Sequence, residues 1–277
     1  MHLSYVIARR AVQTTLLPRA LLGTLLCGML AACSMVPVRG ELSERQINAR
    51  AMWQERCKQS GEFIHKTVDD VEGLVLLKLR NWNANFEDQF LMEDLYGSDV
   101  GGTGYIKSFL RGYLLSGRTD YGAGYDAMGK RGYLYVEAVD PDDGKRYRYT
   151  GRLDEPWQAD KSYLKGYIRL LMDRVPAPPA MPRYGVTFED ISTRLDRENW
   201  IAGSSLKVID LKTNEVIAER IGYMYDWAQG SREGFRSPWL MAADNACPAF
   251  GRSDVKATTA QIGQTVRFVE KVLHPTK

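Results

Sequence analysis

Apolar and polar residues alternate most clearly in two places along this chain of 277 residues, and each place reads as a β-hairpin. Residues 133–139 (YLYVEAV) and 145–150 (KRYRYT) flank Asp140-Pro141-Asp142-Asp143-Gly144, where short acidic side chains, a proline and a glycine all favour a turn. Residues 200–211 and 215–225 flank Lys212-Thr213-Asn214 in the same way, with Leu206, Val208 and Asp210 on one face and Lys207, Ile209 and Leu211 on the other. Shorter runs at 62–68 (EFIHKTV), 74–79 (LVLLKL) and 184–188 predict three more strands. The first two are separated by a turn at Asp69-Asp70-Val71-Glu72-Gly73. Near the two ends the period lengthens to that of a helix. Ile47, Ala51 and Met52 follow Ser43 and Gln46, which have capping-box spacing, and Ser60-Gly61 stops that helix. Ile262, Val266, Val269 and Leu273 repeat at three- and four-residue steps, which predicts an amphipathic helix over 257–273 ending before Pro275.

Between these elements the pattern thins. Residues 81–132 show no sustained period, and a stretch of that length without one points to functional loops. Within it, Gly101-Gly102-Thr103-Gly104 has the composition of a phosphate-binding loop. The Gly-Lys-Ser/Thr triplet is missing, because Lys107-Ser108 stand three residues beyond Gly104, so the segment reads as a surface loop. Residues 163–175 fit a strand or a helix equally. Residues 175–182 (VPAPPAMP) are stiff and extended, and read as a crossing inside one domain. Composition agrees with this mixture: 44% of residues are hydrophobic, and the 25 glycines and 15 tyrosines favour turns and strands over a helical bundle. The expected fold is α+β, an antiparallel sheet built from hairpins and packed with an N-terminal and a C-terminal helix.

The leading residues follow a different logic. Arg9, Arg10 and Arg19 are the only charged residues before Arg39, and they account for the whole excess of 37 basic over 34 acidic residues. The rest of the chain is formally neutral and has no long Lys/Arg run, which argues against a nucleic-acid partner. After Arg19 comes an apolar core at 21–30. Gly23, Thr24, Gly28, Ser34 and Pro37 dilute it below what spans a bilayer, and Leu30-Ala31-Ala32-Cys33 closes it. This arrangement resembles the signal peptide and lipobox of a bacterial lipoprotein precursor. The resemblance covers residues 1–34 and implies removal of 1–32, lipidation of Cys33 and a periplasmic location for the rest; independently, residues 33–41 read as a tether and 42–277 as a single α+β domain. Two or three acyl chains hold a protein firmly at a membrane. Ser34 after the cysteine is the residue such proteins carry for outer-membrane sorting.

That compartment changes the reading of the remaining cysteines. Cys27 leaves with the signal, and Cys57 and Cys247 are left as a disulfide pair with one intramolecular connectivity. The alternative, a catalytic Cys247, finds only His65 and His274 as candidate bases, neither in a recognisable nucleophile setting. The same shortage of histidine, with no His-Glu-x-x-His or Cys-x-x-Cys, leads us to expect no metal and no cofactor. No Gly-x-Ser-x-Gly elbow occurs, since Gly203-Ser204-Ser205 lacks the closing glycine. The catalytic residues, if any, are not identified by sequence. Asp190, Asp196 and Glu198 are the loose candidates for a carboxylate pair, but with 34 acids in the chain a solvated-face or salt-bridge role is the default for each. The first expectation is therefore a lipid-anchored envelope protein, non-enzymatic, that binds or assembles with an envelope protein or a glycan. An envelope hydrolase using carboxylates and a toxin-neutralising lipoprotein of the immunity type are the alternatives.

Overall fold

A computed structural model describes residues 42–80, 89–90, 100–113, 117–118, 131–154, 167–250 and 263–277. Cys33 with its lipobox, the tether, Asn81-Trp82-Asn83 and the start of the expected C-terminal helix with Ile262 lie outside the described residues. Among the described residues no helix is long and apolar enough to cross a membrane.

Helix α1 (Glu44–Cys57) begins where the cap predicts. The Gln46 amide donates to Ser43 Oγ at 3.2 Å, and the Ser43 amide donates to Gln46 Oε1 at 2.9 Å, so two otherwise orphaned donors are satisfied. Glu44 in the first turn and Arg56 in the last complement the helix dipole. The helix lies on the sheet through Ala49, which packs with Ile201, Tyr223 and Tyr225 beside the partly buried Met52 and Trp53. Because so little of α1 is buried, its cap matters: Ser43→Ala is expected to cost about 1 kcal/mol. That loss appears as a lower urea midpoint with an unchanged slope.

The strands are β1 (Gly61–Ile64), β2 (Val68–Val71), β3 (Gly73–Leu76), β4 (Gly117–Arg118), β5 (Tyr135–Val139), β6 (Arg146–Asp154), β7 (Tyr167–Pro176), β8 (Tyr184–Asp190), β9 (Ile201–Asp210), β10 (Glu215–Tyr225), β11 (Ala246–Cys247) and β12 (Leu273–Pro275). One large sheet runs β1-β10-β9-β8-β3-β5-β6-β7-β4, with β11 also on β10. Both expected hairpins are in it: β5 and β6 pair from Val139 and Arg146 outward, and β9 and β10 from Asp210 and Glu215 outward. The ambiguous 163–175 segment supplies β7, a strand, paired along β6. The proline-rich residues after β7 carry the chain across three strands to β8, and Arg146 holds that crossing through the carbonyls of Pro178 and Pro179.

The sheet is mostly antiparallel but is not made of hairpins alone. Strand β3 lies parallel to both β5 and β8. All four of its residues are buried, as the uninterrupted apolar run Leu74-Val75-Leu76 requires of a strand covered on both faces. The expected turn at 69–73 is replaced in part by β2, which pairs in parallel with β12 near the C-terminus. The expected surface loop at Gly101–Gly104 is likewise replaced. Gly101 caps helix α2 (Gly102–Phe109), whose Tyr105, Ile106 and Phe109 are buried against the sheet. Burial of that apolar face outweighs the glycine penalty of about 1 kcal/mol per residue, which here falls in the first turn. Helices α3 (Arg194–Glu198) and α4 (Gln264–Val272) complete the described elements, and α4 buries Phe268, Val269 and Val272 in the same core. Tyr133 seals the floor beneath α4, donating its hydroxyl to the Leu273 carbonyl at 2.7 Å.

Candidate functional site

Cys57 ends α1 and Cys247 lies in β11, which β10 brings to the same edge; the two are joined in a disulfide with Cα atoms 5.5 Å apart. A bridged Cys247 offers no nucleophile. The three loose carboxylates do not converge. Asp196 is fully buried, accepts from the amide and hydroxyl of its cap Thr193 at 2.8 and 2.7 Å, and pairs with Arg56 at 3.0 Å. Asp190 pairs instead with the buried Arg197, and accepts from the Ser192 amide at 2.6 Å. Glu198 faces outward and pairs with Arg194. All three make ion pairs with arginines, the role expected of them by default. His274 meets Asp69 at 2.6 Å between β12 and β2, and His65 uses its backbone amide to extend the β1 pairing to Ile217. Among the described residues no group of three or more His, Cys, Asp and Glu side chains could hold a metal ion.

The concave site lies elsewhere, where the start of α2 overhangs the sheet. Its floor is apolar: Leu76, Leu77 and Leu79 continue from β3, Ile106 descends from α2, and Val139 and Met172 face it from β5 and β7. The cavity measures about 690 Å³ and adjoins a second of about 580 Å³, with Thr103 and Met172 common to both. Cavities of this size suit a small ligand or an extended side-chain pair.

Polar groups stand at the rim and under the overhang. Asp140 opens the β5–β6 turn, and Asp142 donates its amide to Asp140 Oδ1 at 2.9 Å, which folds the turn back over the cavity. Asp140 Oδ2 takes an ion pair from Arg174 and a hydrogen bond from the Tyr149 hydroxyl at 3.4 Å. Arg174 also lies over the Tyr147 ring at 4.5 Å. Burial pushes the Tyr149 phenol above its ordinary value, so it stays a neutral donor. At the inner end Arg80 is buried between the rings of Tyr105 and Phe188, 5.8 and 5.3 Å from their centroids, while its carbonyl accepts from the Gly102 amide at 2.8 Å.

The cavity thus sets an apolar floor beside a rim ion pair, Arg174–Asp140, and the Tyr149 hydroxyl. A smaller cavity of about 240 Å³ on the far side of α2 is bordered by Arg131, Arg267 and Glu270; burial raises the Glu270 carboxyl while Arg131 opposes the shift.

Sequence reasoning missed the main cavity. Its residues come from five separated segments, and the hairpin turn at Asp140 was legible only as a turn. One available signal was Arg80, a cation closing the apolar run from Leu74. Compared with known proteins, no family model matches the chain, and no curated protein and no solved structure matches it.

Proposed function

We propose that this protein is a lipid-anchored module of the bacterial cell envelope, held through Cys33, that binds a partner protein or glycan without chemical turnover. In this reading an N-terminal and a C-terminal helix brace a sheet of hairpins, and the sheet presents the cavity under α2 to the ligand. Ser34 directs the protein to an outer membrane where one is present. The observation that carries the binding reading is the cavity itself: it is open, largely apolar and framed by arginines, and its buried carboxylate is already bound.

The test places a photo-crosslinking residue at Met172 in the full-length protein expressed in its envelope, with a second at exposed Lys212 as control. A discrete adduct from position 172 only, protein or glycan by mass, is expected. Arg174→Ala should weaken it roughly tenfold or more, since a charge-assisted hydrogen bond contributes about 1.5–3 kcal/mol. Equal adducts at 172 and 212, or an adduct indifferent to Arg174, would discard the cavity as the binding seat. Mass spectrometry of the mature N-terminus reads the anchor independently: diacylglyceryl on Cys33 supports it, and an unmodified cysteine refutes it.

A further inference from the structure

A second surface is built with care at the end of the domain where the chain enters. Phe235 is fully exposed, more so than any other large apolar residue described, at 106% of its reference area. It is held there at a cost. Gln229 and Phe235 both have positive φ, at 48° and 61°, in a region that non-glycine residues rarely occupy.

What holds the loop is beneath it. Buried Asp226 takes both terminal nitrogens of Arg236 and the Gly230 amide at 3.2 Å, so one carboxylate ties three points of the loop together. Gly230 sits at φ 79° with no room for a side chain, because a Cβ there would come within 2.0 Å of Trp200. Trp239, at the loop's far end, is buried in the core. The loop is thus fixed at its base and presents an aromatic ring to solvent at its tip.

Neighbouring residues extend this tip into a face. Arg236 lies over the ring of Trp227 at 5.6 Å, and Trp227 is half exposed. The Trp227 carbonyl accepts from the Gln46 side chain at 3.0 Å, which places it against the first turn of α1, where Ile47 is exposed. Trp227 and, through the Arg236–Asp226 pair, the Phe235 loop therefore lie at the end of the domain at which Ser43 begins.

We infer that this face seats directly on the bilayer, with Phe235 and Trp227 entering the headgroup region; the inference rests on the proposed lipid anchor at Cys33. Two features select a lipid surface over another occupant. Cys33 stands ten residues before Ser43, and ten extended residues reach no further than roughly 35 Å, so an acylated Cys33 keeps this end of the domain close to the membrane. The residue types also match: Trp227 joins a large apolar ring to a polar indole N–H, as residues at a membrane–water boundary do, and Phe235 adds an apolar ring at the tip. Arg45 and Arg232 stand beside Glu44 and Glu233, so the face is close to neutral and its seating does not depend on anionic lipid.

The experiment uses the mature, full-length protein reconstituted into phosphatidylcholine vesicles, labelled with an environment-sensitive fluorophore at Phe235→Cys or, as control, Lys212→Cys. Lys212 is exposed in the β9–β10 turn, at the opposite end of β10 from Tyr225, roughly 34 Å along the strand. Lipids carrying a doxyl quencher should reduce emission from position 235 about twofold or more, as for a group lying 5–10 Å into the interface, and leave position 212 unchanged. Emission from 235 that stays solvent-like while Cys33 carries acyl chains overturns the docking and leaves the anchor intact. Shielding at 235 that lipid quencher does not touch and that grows with protein concentration also overturns it, in favour of a second copy. Absence of acyl chains on Cys33 removes the anchor, and quenching at 235 then decides the docking alone.

Discussion

Replacing Cys57 and Cys247 together by alanine is expected to lower the unfolding free energy by as much as about 5 kcal/mol, the chain-entropy value for so long a loop. The two cysteines are 190 residues apart in sequence, so the bridge restricts nearly the whole domain in its unfolded state. Against a typical domain stability of about 5–15 kcal/mol, that is a third of the total or more. The native geometry says where the loss appears first. The bridge joins the last turn of α1 to β11, a two-residue strand. The apolar hold on α1 is otherwise slight, one small buried residue, Ala49, and the partly buried Met52 and Trp53. It is helped by the Arg56–Asp196 ion pair and by hydrogen bonds from Arg45 and Gln46 to the Glu198 and Trp227 carbonyls. Without the bridge α1 and β11 should open before the central strands do, seen as faster amide exchange in 44–57 than in β8 and β9. Denaturant unfolding of the double variant, and of the parent with and without reductant, measures the global effect. A loss under about 1 kcal/mol in both would mean that the bridge adds little to the unfolded-state restriction.

The features legible in the sequence were the local ones. Both hairpins announced themselves because alternation and turn chemistry act within a few residues, and the Ser43–Gln46 box fixed the start of α1 for the same reason. The disulfide was legible through counting once the leading residues were set aside. The rest depends on partners distant in the chain. Asp69–Gly73 looks like a turn until β12 arrives some 200 residues later to pair with β2. Helix α2 was hidden because its glycines speak locally for a loop, while the burial of Tyr105, Ile106 and Phe109 that stabilises it exists only after the sheet has formed. The parallel pairing of β3 and the cavity under α2 share that origin, since each joins segments that carry no mutual signal in sequence. For Asp190 and Asp196 the sequence could offer only a default role in ion pairs, and folding supplied the partners, a different arginine for each.

Asp190→Ala is expected to be among the most damaging single substitutions in the domain, at about 3–5 kcal/mol, because it leaves a guanidinium buried without a counter-charge. Arg197 is fully buried. Its Nη2 pairs with Asp190, its plane faces the Trp239 ring at 5.4 Å, and its Nε and Nη1 find no hydrogen-bond partner among the described residues. The adjacent acid in the chain, Asp196, is already paired with Arg56 and accepts from the Thr193 hydroxyl. Burial is the largest influence on Asp190 and pushes its carboxyl up, with Arg197 pulling it back, so the pair is a balance of desolvation against attraction and not a large net gain. The balance makes a sharper prediction than the single variant does. Adding Arg197→Met to Asp190→Ala removes the stranded charge and fills its space with an apolar side chain over Trp239, so the double variant should be more stable than Asp190→Ala alone. Urea unfolding of the two singles and the double closes the cycle. Additive losses would mean that the two side chains act independently. A double variant that recovers most of the loss would show that Asp190 is retained to neutralise Arg197, and that the pair serves the fold.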